Sequence, residues 1–516
     1  MRKGTQEGNH GVRPSAALAS QWARWIGLLG LVLVTAVGLP AQDDQATPDA
    51  VKFKTLVNFD DLFDAYYALV QGTDGNLYGT AANGGANSGG GVYKMTPAGT
   101  LTTIYNFCGQ PNCADGWLPR ALALGAHGDF YGATIVGGLS ADFGLCAPSG
   151  CGTIFKITPG GDLTTLYNVC SQANCVDGED ASQVVQVAGG NFYGTMEGGG
   201  AISNPMCGWG SFGTGCGTVF KITPQGGLTT LYNFCSQTNC TDGGNPASSL
   251  ILGDDGDLYG MTNVGGANNY GTIFKVTLDG TLTTLHSFDG TDGFCGGQCP
   301  PMVQAPNGDF YGVADAGGTG GGNGVFFRMT PSGIYTVLYN FCSQPNCADG
   351  GSPFGLIRAV DGNFYGVTAS GGSSLGYGTI FKLTPSGALT TLHAFDGTDG
   401  ENPQSSMTQA TNGTFFGTTV LGGADNHGTI FALSIGLGPF VETLPTSGKV
   451  GDSIQILGTN LTDTTGVSFN GTPAAFTVHS KTLIETTVPA AATTGFVTVT
   501  GPEATLKSNA LFHVLP

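Results

Sequence analysis

The sequence predicts an all-β fold, and three observations predict it. Of 516 residues 89 are Gly, and only 10% are charged, against roughly 25% in an ordinary globular domain. Aromatic residues make up 10%, too many for a chain that cannot bury a core. Short phrases rich in β-branched and aromatic residues, punctuated by Gly, Asp, Asn and Pro, recur in fixed order, as strands and turns do. The Gly residues lack a three-residue period, which excludes collagen.

The recurring unit organises residues 50–435. A first phrase appears as GNLYGT at Gly75, GDFYGA at Gly128, GNFYGT at Gly190, GDLYGM at Gly256, GDFYGV at Gly308, GNFYGV at Gly362 and GTFFGT at Gly413. A second follows each, of the type GTIFKITP at Gly152, and a third, of the type LTTLYNF at Leu228, follows six of them. Successive ring residues of the first phrase lie 51 to 66 residues apart. Each unit reads as four short antiparallel strands, joined by Asp-Gly-type turns and Thr-Pro-x-Gly turns. The last copy lacks the third phrase, but Lys52–Phe59 (KFKTLVNF) supplies one at the other end of the repeat. That complement predicts a seven-bladed β-propeller closed by an N-terminal strand. The rival is an open β-solenoid, which would need no complement.

With YG…GTIFKxTPxGxLTTLYNF units over about three quarters of its length, the chain resembles the GloVer-type tandem repeat of secreted bacterial proteins. The resemblance implies export and varied surface-anchoring modules. It implies no activity and no functional residues.

Residues 1–42 read as a signal peptide. Arg2, Lys3, Arg13 and Arg24 precede an apolar run from Trp25 to Leu39, and small and polar residues follow. The run is shorter than the roughly 20 apolar residues of a spanning helix, so no membrane span is expected after cleavage. The expected location is extracellular or at the bacterial cell surface.

The repeat stops at Ser434, and residues 436–516 form a second domain. Alternating strands with Gly-Thr and Asn-Gly turns predict a small immunoglobulin-like β-sandwich. Pro445, Gly448, Gly451, Gly458, Asn460, Phe469, Gly471, Pro489 and Gly495 make the segment similar to the IPT/TIG domain. That resemblance implies a spacer, a dimerisation surface or a companion to another domain.

All 14 Cys fall in the repeat region. An even count behind a signal peptide predicts disulfides rather than metal clusters. Local pairing gives Cys108/Cys113, Cys146/Cys151, Cys170/Cys175, Cys207/Cys216, Cys235/Cys240, Cys295/Cys299 and Cys342/Cys347. These pairs sit between the fourth strand of one unit and the first of the next, or between the second and third strands. In an up-and-down sheet both connections emerge on one face, which marks a long-looped, braced working face. Trp117 and Trp209 fall on or beside its longest loops and are the candidate ligand contacts; the alternative is that each packs its own loop.

Catalytic signatures are missing. The sequence holds no GxSxG elbow, HExxH or P-loop lysine motif. His286 and His393 replace the Tyr of the third phrase and read as structural; His127 and His427 have no partner visible in the sequence. Glu179 and Glu197 are the acids nearest the long loops, but sequence cannot show the separation that paired glycosidase carboxylates need. Asp115, Asp177, Asp242, Asp289, Asp292, Asp349, Asp396 and Asp399 recur before Gly and read as turn formers. No catalytic residue and no metal ligand is assigned, and no cofactor is expected, with Ca²⁺ at these loops the alternative. The net charge of −19 argues against nucleic acid. The reading is a secreted or surface binding scaffold, non-catalytic, with a polysaccharide or a surface protein as partner. The alternatives are a glycan-active hydrolase or lyase and a structural adhesion protein.

Overall fold

A computed structural model describes residues 51–139, 150–207, 215–246, 248–297, 300–319 and 321–515. The proposed signal peptide, Trp209, Cys146 and Cys299 lie outside the described residues. The fold is all-β, with antiparallel sheets and short 3₁₀ turns. No helix among the described residues is long and apolar enough to cross a membrane.

Seven sheets share one strand order along residues 52–434. We number them I to VII by position: I (70–106), II (117–168), III (179–233), IV (251–287), V (303–340), VI (351–394) and VII (408–434). Sheet IV shows the pattern: Ile251–Leu252, Leu258–Met261, Thr272–Val276 and Leu282–Ser287, each antiparallel to the next. Sheet VII takes its outer strand from the N-terminus: Lys52–Asn58 pairs antiparallel with Thr429–Ser434. The strand expected to complete the last unit does so.

The repeated phrases have a packing explanation. A Cβ on Gly260 would lie 2.6 Å from Phe274 Cζ, one on Gly312 2.3 Å from Phe327 Cζ, and one on Gly417 2.4 Å from Phe431 Cζ. Gly follows the aromatic residue of the first phrase because the third-strand ring occupies its side-chain space. The aromatic residue itself faces the next sheet: Tyr78 meets Phe130 at 4.2 Å, Tyr131 meets Phe192 at 4.0 Å, and Tyr259 meets Phe310 at 4.2 Å. The core is therefore a chain of clusters, each shared by two neighbouring sheets. A further cluster joins Phe416 and Ile430 of sheet VII to Leu77 and Met95 of sheet I, closing the series on itself. All seven third-to-fourth strand pairs carry a register shift at one position, such as Ile273/Phe274. A bulge repeated there adds twist to every sheet at the same level.

The polar repeats are structural too. The third-strand Lys reaches the turn between the first two strands: Lys94 to Asp74 at 2.7 Å, Lys156 to Asp129 at 2.6 Å, Lys275 to Asp257 at 2.7 Å. The third-phrase Tyr donates to the Asp that ends the following loop: Tyr105 to Asp115, Tyr167 to Asp177, Tyr232 to Asp242 and Tyr339 to Asp349. His286 and His393 take that place with Asp292 and Asp399, each at 2.7 Å.

Residues 442–515 form two further sheets around a core that includes Ile456, Val467, Ile484, Val497 and Phe512. They rest on the short turns between first and second strands. Thr482 Oγ1 donates to Thr73 O at 2.8 Å, the hydroxyls of Thr411 and Thr459 meet at 3.0 Å, and His513 Nε2 lies 2.7 Å from Asp254 Oδ1.

Candidate ligand-binding site

Residues in or next to the first strands of all seven sheets border one cavity of about 330 Å³. Tyr67, Arg120, Gln183, Ser249, Met302, Phe354 and Ser405 represent the seven sheets in its wall. On one side of this cavity the chain enters each first strand from the long loops.

Arg120 carries the charge. It follows Trp117–Pro119 and is 7% exposed. Its Nη2 lies 2.5 Å from Asp180 Oδ1 and 3.5 Å from Glu197 Oε2. Burial alone would lower the guanidinium pKa; Asp180, Tyr67 and Glu197 outweigh it and hold the value above the ordinary one. Asp180 belongs to Glu179–Ala181 and Glu197 to Phe192–Gly198, which pair antiparallel, so one sheet presents both acids to the Arg of its neighbour.

The carboxyls are perturbed by their surroundings. Burial, helped by Asp180 and opposed by the Gly199 amide, pushes Glu179 up to about 7. Burial also pushes Glu197 up to about 7; Asp180 adds to this and Arg120 opposes it. A desolvated carboxyl with a charged neighbour in a cleft is a functional candidate on physical grounds.

Among the described residues, three buried polar atoms near Arg120 have no hydrogen-bond partner: Arg120 Nε, Trp117 Nε1 and Asn245 Oδ1. The Asn245 amide is oriented by its other end, because Nδ2 donates to Glu197 O at 2.9 Å. The backbone is strained here as well. Leu118, Asp180 and Asn245 have φ of 57°, 59° and 50°, and Ser352 and Asn402 repeat the conformation. A left-handed Leu is unfavourable and persists only where its surroundings dictate it.

Trp117 lies on the first strand of sheet II, half-buried and paired with Val136, where the second-to-third loop of that sheet begins. Five disulfides are the expected local pairs: Cys108–Cys113, Cys170–Cys175, Cys207–Cys216, Cys235–Cys240 and Cys342–Cys347. Cys151 and Cys295 are also disulfide-bonded. Two sulfur trios, Cys151/Cys170/Cys175 and Cys207/Cys216/Cys235, have atoms within 4.8 Å of one another, but all six are in disulfides. A thiolate metal ligand must be free and deprotonated. Asp289 and Asp396 accept from their own turns, at Thr291 and Thr398. His427 Nδ1 lies 2.7 Å from Asp60 O, and His127 is exposed on a short turn.

Sequence reasoning named Glu179, Glu197 and Trp117 but missed Arg120, Asp180 and Asn245. A signal existed. Aligned copies read WLPR, EDAS, GNPA, GSPF and ENPQ at the start of the first strand, and the final residue differs in every one. Residues that vary where the scaffold repeats are those freed from building it.

No curated protein matches this chain. Among solved structures it is similar to a gluconolactonase from Xanthomonas campestris (10% identity, TM-score 0.38, covering 62% of this chain and 88% of that one). It is also similar to a luciferin-regenerating enzyme (10%, 0.39, 76% and 97%) and to a protein of unknown function from Bacteroides thetaiotaomicron (12%, 0.36, 75% and 91%). Likeness of that degree assigns no activity. The repeat itself is more informative: residues 45–209, 147–348 and 301–501 each match the model of the Gloeobacter/Verrucomicrobia repeat. The phrases that build the sheets are thus those of a described repeat, and the chain belongs to the Gloeobacter/Verrucomicrobia repeat family.

Proposed function

We propose that this protein is an exported, non-catalytic binding scaffold: a seven-bladed propeller, closed by its N-terminal strand and carrying an IPT/TIG-like module, that holds a polysaccharide at the mouth of its axial cavity. One observation supports the ligand class. The cavity wall sets Arg120, paired with Asp180 and Glu197, among the neutral polar side chains of Gln183, Ser249 and Ser405 and the rings of Tyr66, Tyr67 and Phe354. Sugar hydroxyls donate and accept at once and sugar faces pack on rings, so a polysaccharide matches such a mixed wall. The disulfides support export.

A second reading, a glycan-active hydrolase or lyase, is favoured by Glu179 and Glu197, both half-protonated near neutral pH. Carboxyls tuned to that range suit proton transfer. Incubating the protein with a panel of soluble polysaccharides separates the two. Saturable binding with no new reducing ends or unsaturated products supports the scaffold; accumulating product, lost in Glu197→Gln, supports the enzyme.

A further inference from the structure

A second cavity, of about 500 Å³, lies where residues 442–515 meet the short turns of sheets IV, V and VI. Its wall includes Asp254, Gln304, Arg358, Glu442, Asn509 and His513. Three of these are already satisfied: Asp254 pairs with His513 at 2.7 Å and its amide donates to Gln304 Oε1 at 2.8 Å.

Arg358 departs from the repeat. At the equivalent first-strand position, sheets I, III, V and VII carry Gln71, Gln186, Gln304 and Gln409. Each accepts from a backbone N–H on the preceding sheet's turn: Thr411, Ala126, Asp254 and Val360. The turn that precedes sheet VI has Pro306 at the donor position, which has no N–H to give, so a Gln there would lack its partner. Arg358 Nη1 instead reaches only Asn509 O, at 3.4 Å. Lys94, Lys156, Lys275 and Arg328 each have a carboxylate within ion-pair distance; Arg358 has none among the described residues. Burial holds its pKa below the ordinary value, against the pull of nearby Asp361 and Tyr311.

Glu442 is the complementary case. Its carboxyl accepts no hydrogen bond from the described residues, and burial alone pushes its pKa up. One cavity therefore holds an unpaired cation and an unpaired carboxyl, separated by more than an ion-pair distance. Desolvated charges are costly until matched. A simple anion would match Arg358 and place a second negative charge beside Glu442; a simple cation would do the reverse.

We propose that this cavity binds a small zwitterion, its carboxylate on the Arg358 guanidinium and its ammonium on Glu442. Arg suits the carboxylate end because its planar fork meets both oxygens.

The test is calorimetric titration of residues 43–516 with glycine, β-alanine, γ-aminobutyrate and ε-aminocaproate, and with butyrate and butylamine as half-ligands. The expected result is one site for at least one of the amino acids, with both half-ligands at least about tenfold weaker. Arg358→Gln and Glu442→Gln each abolish it. Arg358→Gln places there the residue that four other sheets carry, and an unchanged unfolding midpoint verifies that the fold is retained. Failure of every probe at millimolar concentration overturns the proposal. So does binding that survives both substitutions, or butyrate binding as tightly as the amino acids, which would mark a simple anion site.

Discussion

Glu179 offers a quantitative test of the electrostatics at the cavity mouth. Its side chain belongs to a residue only 3% exposed, and its pKa stands at about 7 against an ordinary 4.5. Between those values the folded state binds more protons at this site than the unfolded state. Stability contributed by the neutral carboxyl is complete below about 4.5 and is lost as pH rises through 7. The gap corresponds to roughly 3 kcal/mol. Glu179→Gln removes the titration while leaving an oxygen to accept from the Gly199 amide. At pH 4 both carboxyl and amide are neutral, and the two proteins should be nearly equally stable. At pH 8 the Gln variant should be the more stable by about 3 kcal/mol. Urea unfolding followed by fluorescence at several pH values measures the difference, and groups common to both proteins cancel. A difference that does not change with pH, or wild type the more stable at pH 8, would refute the reasoning.

Other expectations follow from the repeats and the ring closure. Asp242 is fully buried and accepts from Tyr232 Oη, from the Ser236 hydroxyl and from the amides of Ser236 and Gln237; Asp242→Ala should cost about 3 kcal/mol in denaturant unfolding, because four donors lose an acceptor. Phe53 of the N-terminal strand stacks on His393 at 3.8 Å and contacts Phe431 at 5.5 Å; Phe53→Ala should lower stability by about 2–3 kcal/mol, whereas an N-terminal strand that contributed nothing to closure would leave the midpoint unchanged. Replacing Cys235 and Cys240 together by Ser should cost about 2 kcal/mol by the loop-closure relation, with far-ultraviolet circular dichroism preserved because the sheet clusters do not depend on the bridge.

Much of the scaffold was legible because repetition amplifies weak local signals. A single GTIFKVT could be a strand in many folds; seven copies, each following a YG or FG, leave few arrangements. Lys52–Phe59 was recognised as the missing outer strand for the same reason. The role of the Gly was not legible, since it depends on a ring one strand away, as with Gly312 and Phe327. Nor was the mouth of the cavity. Arg120, Asp180 and Asn245 come from three sheets up to 125 residues apart in sequence, and only sheet-to-sheet packing assembles them. Trp117 stood out for its rarity and its place beside a long loop, but its position on a first strand, opposite Val136, depends on pairing across the sheet.

The binding claim is tested most directly by titrating residues 43–516 with soluble polysaccharides while following Trp emission. Trp117 lies three residues from Arg120, on the strand that leads to it. The expected result is a saturable shift with at least one glycan. A hydrogen bond to a charged group is worth about 1.5–3 kcal/mol, so Arg120→Gln should weaken binding about tenfold or more. Trp117→Phe, which keeps the ion pairs, should weaken it as well. No shift with any glycan, or a shift unaffected by both substitutions in folded protein, would contradict the assignment of the axial mouth as the binding site.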